Sequence, residues 1–145
     1  MRAVIQRVKS AEVAVEGEIT GRIGEGILTL LGIGQGDTAQ QVDKVIQKIA
    51  KLRIFADERG KMNLSLQDVK GGHLIVSQFT LYGDTSKGNR PGFGAAAAPA
   101  VAESLYERAI AISRSLGIET ASGRFGADMK LSLLNDGPVT FIVEA

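Results

Sequence analysis

Apolar residues recur with the two-residue period of a half-buried strand over residues 2–8 and again over 11–19, where Val13 and Val15 sit between polar neighbours and Gly17-Glu18 breaks the run. An unbroken apolar stretch bounded by glycines follows at 26–33, the pattern of a strand covered on both faces. After the loop Gly34-Gln35-Gly36-Asp37, Thr38 and Gln41 stand at capping-box spacing. Val42, Val45, Ile46, Ile49 and Leu52 then repeat on one helical face. Short strands are predicted at 52–55 and 62–66 around the turn Asp57-Glu58-Arg59-Gly60, and a longer one at 73–81. A second long helix is predicted to open on Pro99, to turn Val101, Leu105, Ala109, Ile112 and Leu116 inward, and to stop at Gly117. Strands at 119–122, 130–134 and 139–144 complete the chain. Runs of strands interrupted by two separated helices predict the α+β class: mostly antiparallel sheets curved into a barrel-like body with two long helices.

Residues 83–99 are different in kind. Gly83 to Gly94 has no periodicity and many turn formers, and a loop of that length beside a strand is more often functional than idle. The 145 residues show no repeat or linker and are read as a single domain spanning 1–145. With 44% apolar residues and no stretch of membrane-spanning length, no membrane is expected; the first residues already read as a strand, so no signal peptide is inferred. There is no cysteine, which removes disulfides, thiolate catalysis and zinc–thiolate sites and fits a cytoplasmic location. The net charge of +1 argues against broad wrapping of nucleic acid, so any RNA contact is expected at a local patch. Lys87 and Arg90, inside the long loop, are favoured for that patch over the lysines of the first helix.

Candidate chemistry is sparse. His73, the only histidine, reads either as a general base or, as preferred, as a surface residue at the start of a strand, since no triad order or metal spacing surrounds it. One histidine without cysteine leaves no metal site expected. Ser77-Gln78-Phe79-Thr80-Leu81 ends an apolar run; strand alternation would put Gln78 and Thr80 on one face and Ser77 and Phe79 on the other. Thr80 is a nucleophile only with a base beside it, and none is visible; cross-strand pairing is the alternative. Asn135-Asp136-Gly137-Pro138-Val139-Thr140-Phe141 forms a corner between two apolar runs, by its residues alone a plain turn. Arg7 reads as a solvent-facing charge, and Phe125 as either core or the wall of a pocket.

The two motifs occur in one chain with Arg90-Pro91-Gly92-Phe93 and Gly123-Arg124-Phe125-Gly126, and by them the chain resembles the D-aminoacyl-tRNA deacylases over essentially its whole length. The resemblance implies a homodimer that hydrolyses the ester of D-aminoacyl-tRNA, and of glycyl-tRNA, without a cofactor. It implies that Ser77, Gln78, Phe79 and Thr80 act mainly through their main chain, with help from the 2′-hydroxyl of the terminal adenosine. It implies a cis Gly137–Pro138 bond whose corner enters the partner's pocket and rejects L side chains. Arg7 would brace that corner through its carbonyls, with Asn135 and Phe125 as further supporting positions.

Overall fold

The computed structural model describes residues 1–145. Its backbone is organised by one long strand. β1 (Arg2–Val15) pairs along its length with β8 (Lys130–Glu144), and its other edge is shared by β3 (Gly26–Gly32) and β2 (Glu18–Ile23), all antiparallel. β6 (Gly72–Ser77) lies parallel to β3, and β7 (Thr120–Ser122) parallel to β6, giving the order β2-β1-β3-β6-β7 with β8 on β1. The sheet curls until its ends approach: a Cβ on Gly21 of β2 would collide with the Ser122 carbonyl of β7. β4 (Phe55–Ala56) and β5 (Met62–Leu64) form a small separate hairpin. α1 (Ala39–Lys51), the single turn α2 (Leu66–Val69) and α3 (Pro99–Ser115) complete the fold.

Two apolar clusters follow from this curl. Ile27, Leu31 and Ile75 face the helices and meet Val42, Val45, Ile46, Ile49 of α1 and Tyr106, Ala109 of α3. Val8, Val13, Val15, Leu28, Leu74 and Val76 fill the interior of the curled sheet. β3 and β6 are therefore buried on both faces, which accounts for their unbroken apolar runs. β1 changes phase near Val8, where its pairing with β8 slips twice, between Gln6 and Val8 and between Val8 and Ser10. These slips lie opposite Asn135 to Val139, so the corner is a bulged interruption within one continuous strand.

The Thr38 capping box forms as expected: Gln41 N–H donates to Thr38 Oγ1 at 3.4 Å, and Thr38 N–H donates to Gln41 Oε1 at 2.7 Å. Thr38→Ala is expected to cost about 1 kcal/mol of stability, seen as a lower urea midpoint with unchanged slope. An unshifted midpoint would mean that the cap contributes nothing.

Several expectations are corrected. The sheet is mostly antiparallel as expected but mixed, because α1 and α3 are crossovers that return the chain in parallel at β6 and β7. The strands expected at 2–8 and 11–19 are one strand, closed by a turn at Glu16 (φ 51°) and Gly17 (φ 81°). The buried face of α3 is Ala102, Tyr106, Ala109 and Ser113, with Val101 50% exposed. Of the expected stripe, Ala109 is buried and Leu105, Ile112 and Leu116 pack at the edge of the core, so the face is turned toward Ala102, Tyr106 and Ser113. His73 is neither a base at a site nor a surface residue. It is fully buried, its Nε2 2.7 Å from Thr29 Oγ1 and its Nδ1 2.9 Å from Ser113 Oγ, which in turn lies 2.7 Å from Thr120 Oγ1. Burial lowers its pKa from 6.5 to about 3, so the imidazole is neutral at pH 7. No helix is long and apolar enough to cross a membrane.

Candidate active site

A cleft of about 490 Å³ opens where β6 ends, walled by Ser77, Gln78 and Phe79 on one side, Ala97 and Pro99 at the start of α3, and Phe125 with Met129 opposite. The strand expected to carry the first motif stops at Ser77. Gln78 N–H still donates to Leu31 O at 2.9 Å, and Phe79–Tyr82 then form a 3-10 turn. Strand alternation therefore fails here, and Ser77, Gln78 and Phe79 all reach the same cleft. The first hydrogen bond of the turn runs from Leu81 N–H to Gln78 O at 3.2 Å. The N–H groups of Phe79 and Thr80 precede it and are left for another acceptor. The turn is held from behind: Arg2 Nη1 donates to Leu81 O at 2.9 Å, and the Arg2 guanidinium lies 5.3 Å from the centre of the Tyr82 ring.

The Thr80 side chain is exposed, and its Oγ1 accepts a hydrogen bond from Gln78 Nε2. The only titratable side chain lining the cleft is that of Asp128, ion-paired with Lys130 at 3.2 Å. No acid–base pair is brought together. No group of three or more His, Asp or Glu side chains converges as a metal site. Asp128 and Met129 were not singled out from the sequence; their position directly after the Gly123-Arg124-Phe125-Gly126 motif was the available signal. Phe125 resolves its two readings by fulfilling both. It packs against the main core, 5.9 Å from the ring of Tyr106, and lines the cleft.

The second motif lies elsewhere. The Gly137–Pro138 peptide is cis, and both residues are exposed and absent from the cleft lining of their own chain. Asn135 Nδ2 ties the bulge together by donating to Arg7 O at 2.8 Å and Val139 O at 3.0 Å. The Arg7 side chain, 13% exposed, is no solvent-facing charge. Its Nε donates to Asp136 O at 3.1 Å and lies 3.4 Å from the Asp136 carboxylate, while Nη1 donates to Ile54 O at 2.7 Å. It thus braces the residue before Gly137 rather than the Gly137 or Pro138 carbonyls. Around the corner, β8 exposes Leu133, Leu134, Phe141 and Ile142, at 38%, 60%, 40% and 68%, more apolar surface than a solvated strand needs.

Lys87 and Arg90 are exposed on the 83–98 loop, and none of the chain's ion pairs engages them. The loop is pinned across its base by Asp84 N–H to Gly92 O at 2.7 Å and Gly92 N–H to Asp84 O at 2.9 Å. Hydrogen bonds from the Ser86 hydroxyl and N–H hold the Asp84 carboxyl below its usual pKa.

Comparison with known proteins gives full-length matches. A family model described as D-Tyr-tRNA(Tyr) deacylase matches residues 4–144. The D-aminoacyl-tRNA deacylase of Cereibacter sphaeroides is 59% identical over 145 residues, covering 100% of both chains. That of Fusobacterium nucleatum is 57% identical, covering 99% of this chain and 95% of the relative. Among solved structures, a c-Myc DNA unwinding element binding protein superposes with a TM-score of 0.92 at 40% identity, over 100% of this chain and 99% of that one. A probable eukaryotic D-amino acid tRNA deacylase shares the fold, with a TM-score of 0.83 at 19% identity over 99% and 98% of the two chains. On the full-length match and the intact fold, the chain belongs to the D-Tyr-tRNA(Tyr) deacylase family.

Proposed function

We propose that the chain, as one catalytic unit over 1–145, is a cytoplasmic D-aminoacyl-tRNA deacylase that works as a homodimer and needs no cofactor. The observation that carries this reading is the pairing of two free main-chain N–H groups, of Phe79 and Thr80, with a cleft that holds no acid–base pair. Such a site suits an activated ester. Water attacks the aminoacyl carbonyl, the developing oxyanion is received by the Phe79 and Thr80 N–H groups, and the 3′-oxygen of the terminal ribose leaves with a proton. The adjacent 2′-hydroxyl of the substrate positions the water. Free D-amino acid and tRNA are the products. Phe125 offers the terminal adenine an aromatic wall, and Lys87 and Arg90 contact phosphates.

Chirality is read by the Gly137–Pro138 corner of the partner subunit. The exposure of the corner, its absence from its own cleft and the apolar strip of β8 around it support a two-fold dimer in which each corner enters the other's cleft. An L side chain would strike this corner; a D side chain points past it, and glycine has nothing to clash, so glycyl-tRNA is also a substrate. Sedimentation should give a dimer at micromolar concentration, and an active monomer would contradict the composite site. Release of free D-tyrosine from D-tyrosyl-tRNA by the purified chain is the expected result. A chain that binds the RNA and leaves the ester intact would be a non-catalytic RNA-binding module instead.

The remaining rival is a covalent esterase with Thr80 as nucleophile. Thr80→Ala is expected to lose less than about tenfold in kcat/KM, whereas removing a covalent nucleophile costs about 10⁴-fold or more. A folded Thr80→Ala chain without turnover would favour the covalent route. Undiminished hydrolysis of a substrate ending in 2′-deoxyadenosine would remove the role of the ribose.

A further inference from the structure

At the rim of the cleft the chain exposes a pair of aromatic rings that neither the core nor the proposed chemistry uses. The rings of Phe79 and Phe93 meet edge to face, their centres 5.0 Å apart at 63°, with Phe79 56% and Phe93 38% exposed. Phe79 lines the cleft and Phe93 does not, so the pair leads from the cleft rim outward. Both backbones are fixed. Phe79 starts the 3-10 turn held by Arg2, and Phe93 follows the Asp84–Gly92 latch, with Ala96 N–H donating to Phe93 O at 3.1 Å. Gly83 leaves room beside the Phe93 ring, since a Cβ there would lie 3.3 Å from Phe93 Cε1 and 3.0 Å from Thr80 O. The same loop carries Lys87 and Arg90, free of ion pairs, against the single acid Asp84.

Exposed rings on a rigid scaffold beside unpaired cations are the means by which proteins hold single-stranded nucleic acid: bases stack on the rings and phosphates meet the cations. We propose that Phe93, supported edge-on by Phe79, is a stacking platform for the base preceding the terminal adenosine of the tRNA 3′ end, with Lys87 and Arg90 meeting its phosphates. This rests on the deacylase reading above and extends it from the ester to the single strand that carries it. The platform grips RNA without regard to the amino acid, so it contributes to binding and not to chiral choice.

The test compares two substrates, D-tyrosyl-tRNA and D-tyrosyl-adenosine, which keeps the ester and terminal nucleoside and lacks the preceding base. Phe93→Ala is expected to raise KM for D-tyrosyl-tRNA by about ten- to a hundredfold, the range of one base–aromatic stack, with kcat held. Its rate on D-tyrosyl-adenosine should equal that of the parent, and Phe93→Trp should restore the tRNA KM. Equal losses on both substrates would make Phe93 a support of the cleft and overturn the platform, as would an unchanged tRNA KM. Dissociation of the Phe93→Ala dimer in sedimentation would assign the rings to a protein contact and overturn it too. A parent protein inactive on both substrates would instead refute the deacylase reading.

Discussion

Gly137→Ala is expected to lower kcat/KM for D-aminoacyl-tRNA by about a hundredfold while leaving the chain folded, the loss typical when a group at the reacting centre is displaced by about 1 Å. Gly137 has φ +139°, where side chains other than glycine are strained. A Cβ there would stand 2.6 Å from Val139 Cγ2, 2.8 Å from Val139 N and 3.4 Å from Arg7 Nη2. It would thus press on Val139, whose carbonyl Asn135 holds, while only touching the Arg7 brace. The corner has to turn, and its carbonyls turn with it. Because Gly137 is exposed and belongs to neither apolar cluster, the thermal midpoint should move little. Activity near that of the parent in Gly137→Ala would show that the corner's geometry does not matter to the reaction.

The second large effect concerns stability and pH. With its folded pKa at about 3, below the unfolded value of about 6.5, His73 stays neutral in the folded chain while the unfolded chain takes up a proton. Stability is then fully present above about pH 6.5 and falls as the pH drops toward 3, by about 1.4 kcal/mol per pH unit and about 3 kcal/mol by pH 4. Both ring nitrogens meet hydroxyls, of Thr29 and Ser113, and no carboxylate is bonded to the ring to offset this loss. The carboxyls whose pKa is lowered (Asp43, Asp57, Asp68 and Asp84) lose their contribution as the pH falls through the ordinary value of 3.8 and on below it, leaving the window from pH 6.5 to 4.5 to His73. Urea titrations across that window should show the slope in the parent and lose it in His73→Gln, whatever the absolute stability of the variant. A parent free energy flat from pH 6.5 to 4.5 would contradict the buried neutral histidine.

His73 also marks where the sequence stopped being informative. Burial depends on what crosses over a strand, and Ser113, its second partner, lies 40 residues away with no local pattern to announce it. The Thr38–Gln41 cap, the Pro99 start and Gly117 stop of α3, and the face of α1 are local, and all were legible. The inner face of α3 was read in part: Ala109 is buried and Leu105, Ile112 and Leu116 pack at the edge of the core, but the small Ala102 and Ser113 and the aromatic Tyr106 carry no local signal for the centre of the contact. Parallel pairing of β3, β6 and β7 was implicit in the strand–helix–strand order, yet hidden by the strands and hairpin between α1 and β6. In the candidate site, the motif residues Ser77, Gln78, Phe79 and Phe125 line one cleft, and Gly137 and Pro138 do not line that of their own chain. The alternation argument failed because the strand ends one residue before Gln78, and the change into a 3-10 turn leaves the Phe79 and Thr80 N–H groups free.

As a chirality-selective deacylase, the chain is expected to remove D-aminoacyl and glycyl groups from tRNA and to spare L-aminoacyl groups. The most direct test of this incubates the purified protein in parallel with D-tyrosyl-, L-tyrosyl- and glycyl-tRNA and follows release of the free amino acid. The account predicts rapid hydrolysis of the D-tyrosyl and glycyl esters, with L-tyrosyl-tRNA decaying at its rate without enzyme. Equal hydrolysis of the D- and L-tyrosyl esters, or no hydrolysis of either, would contradict it.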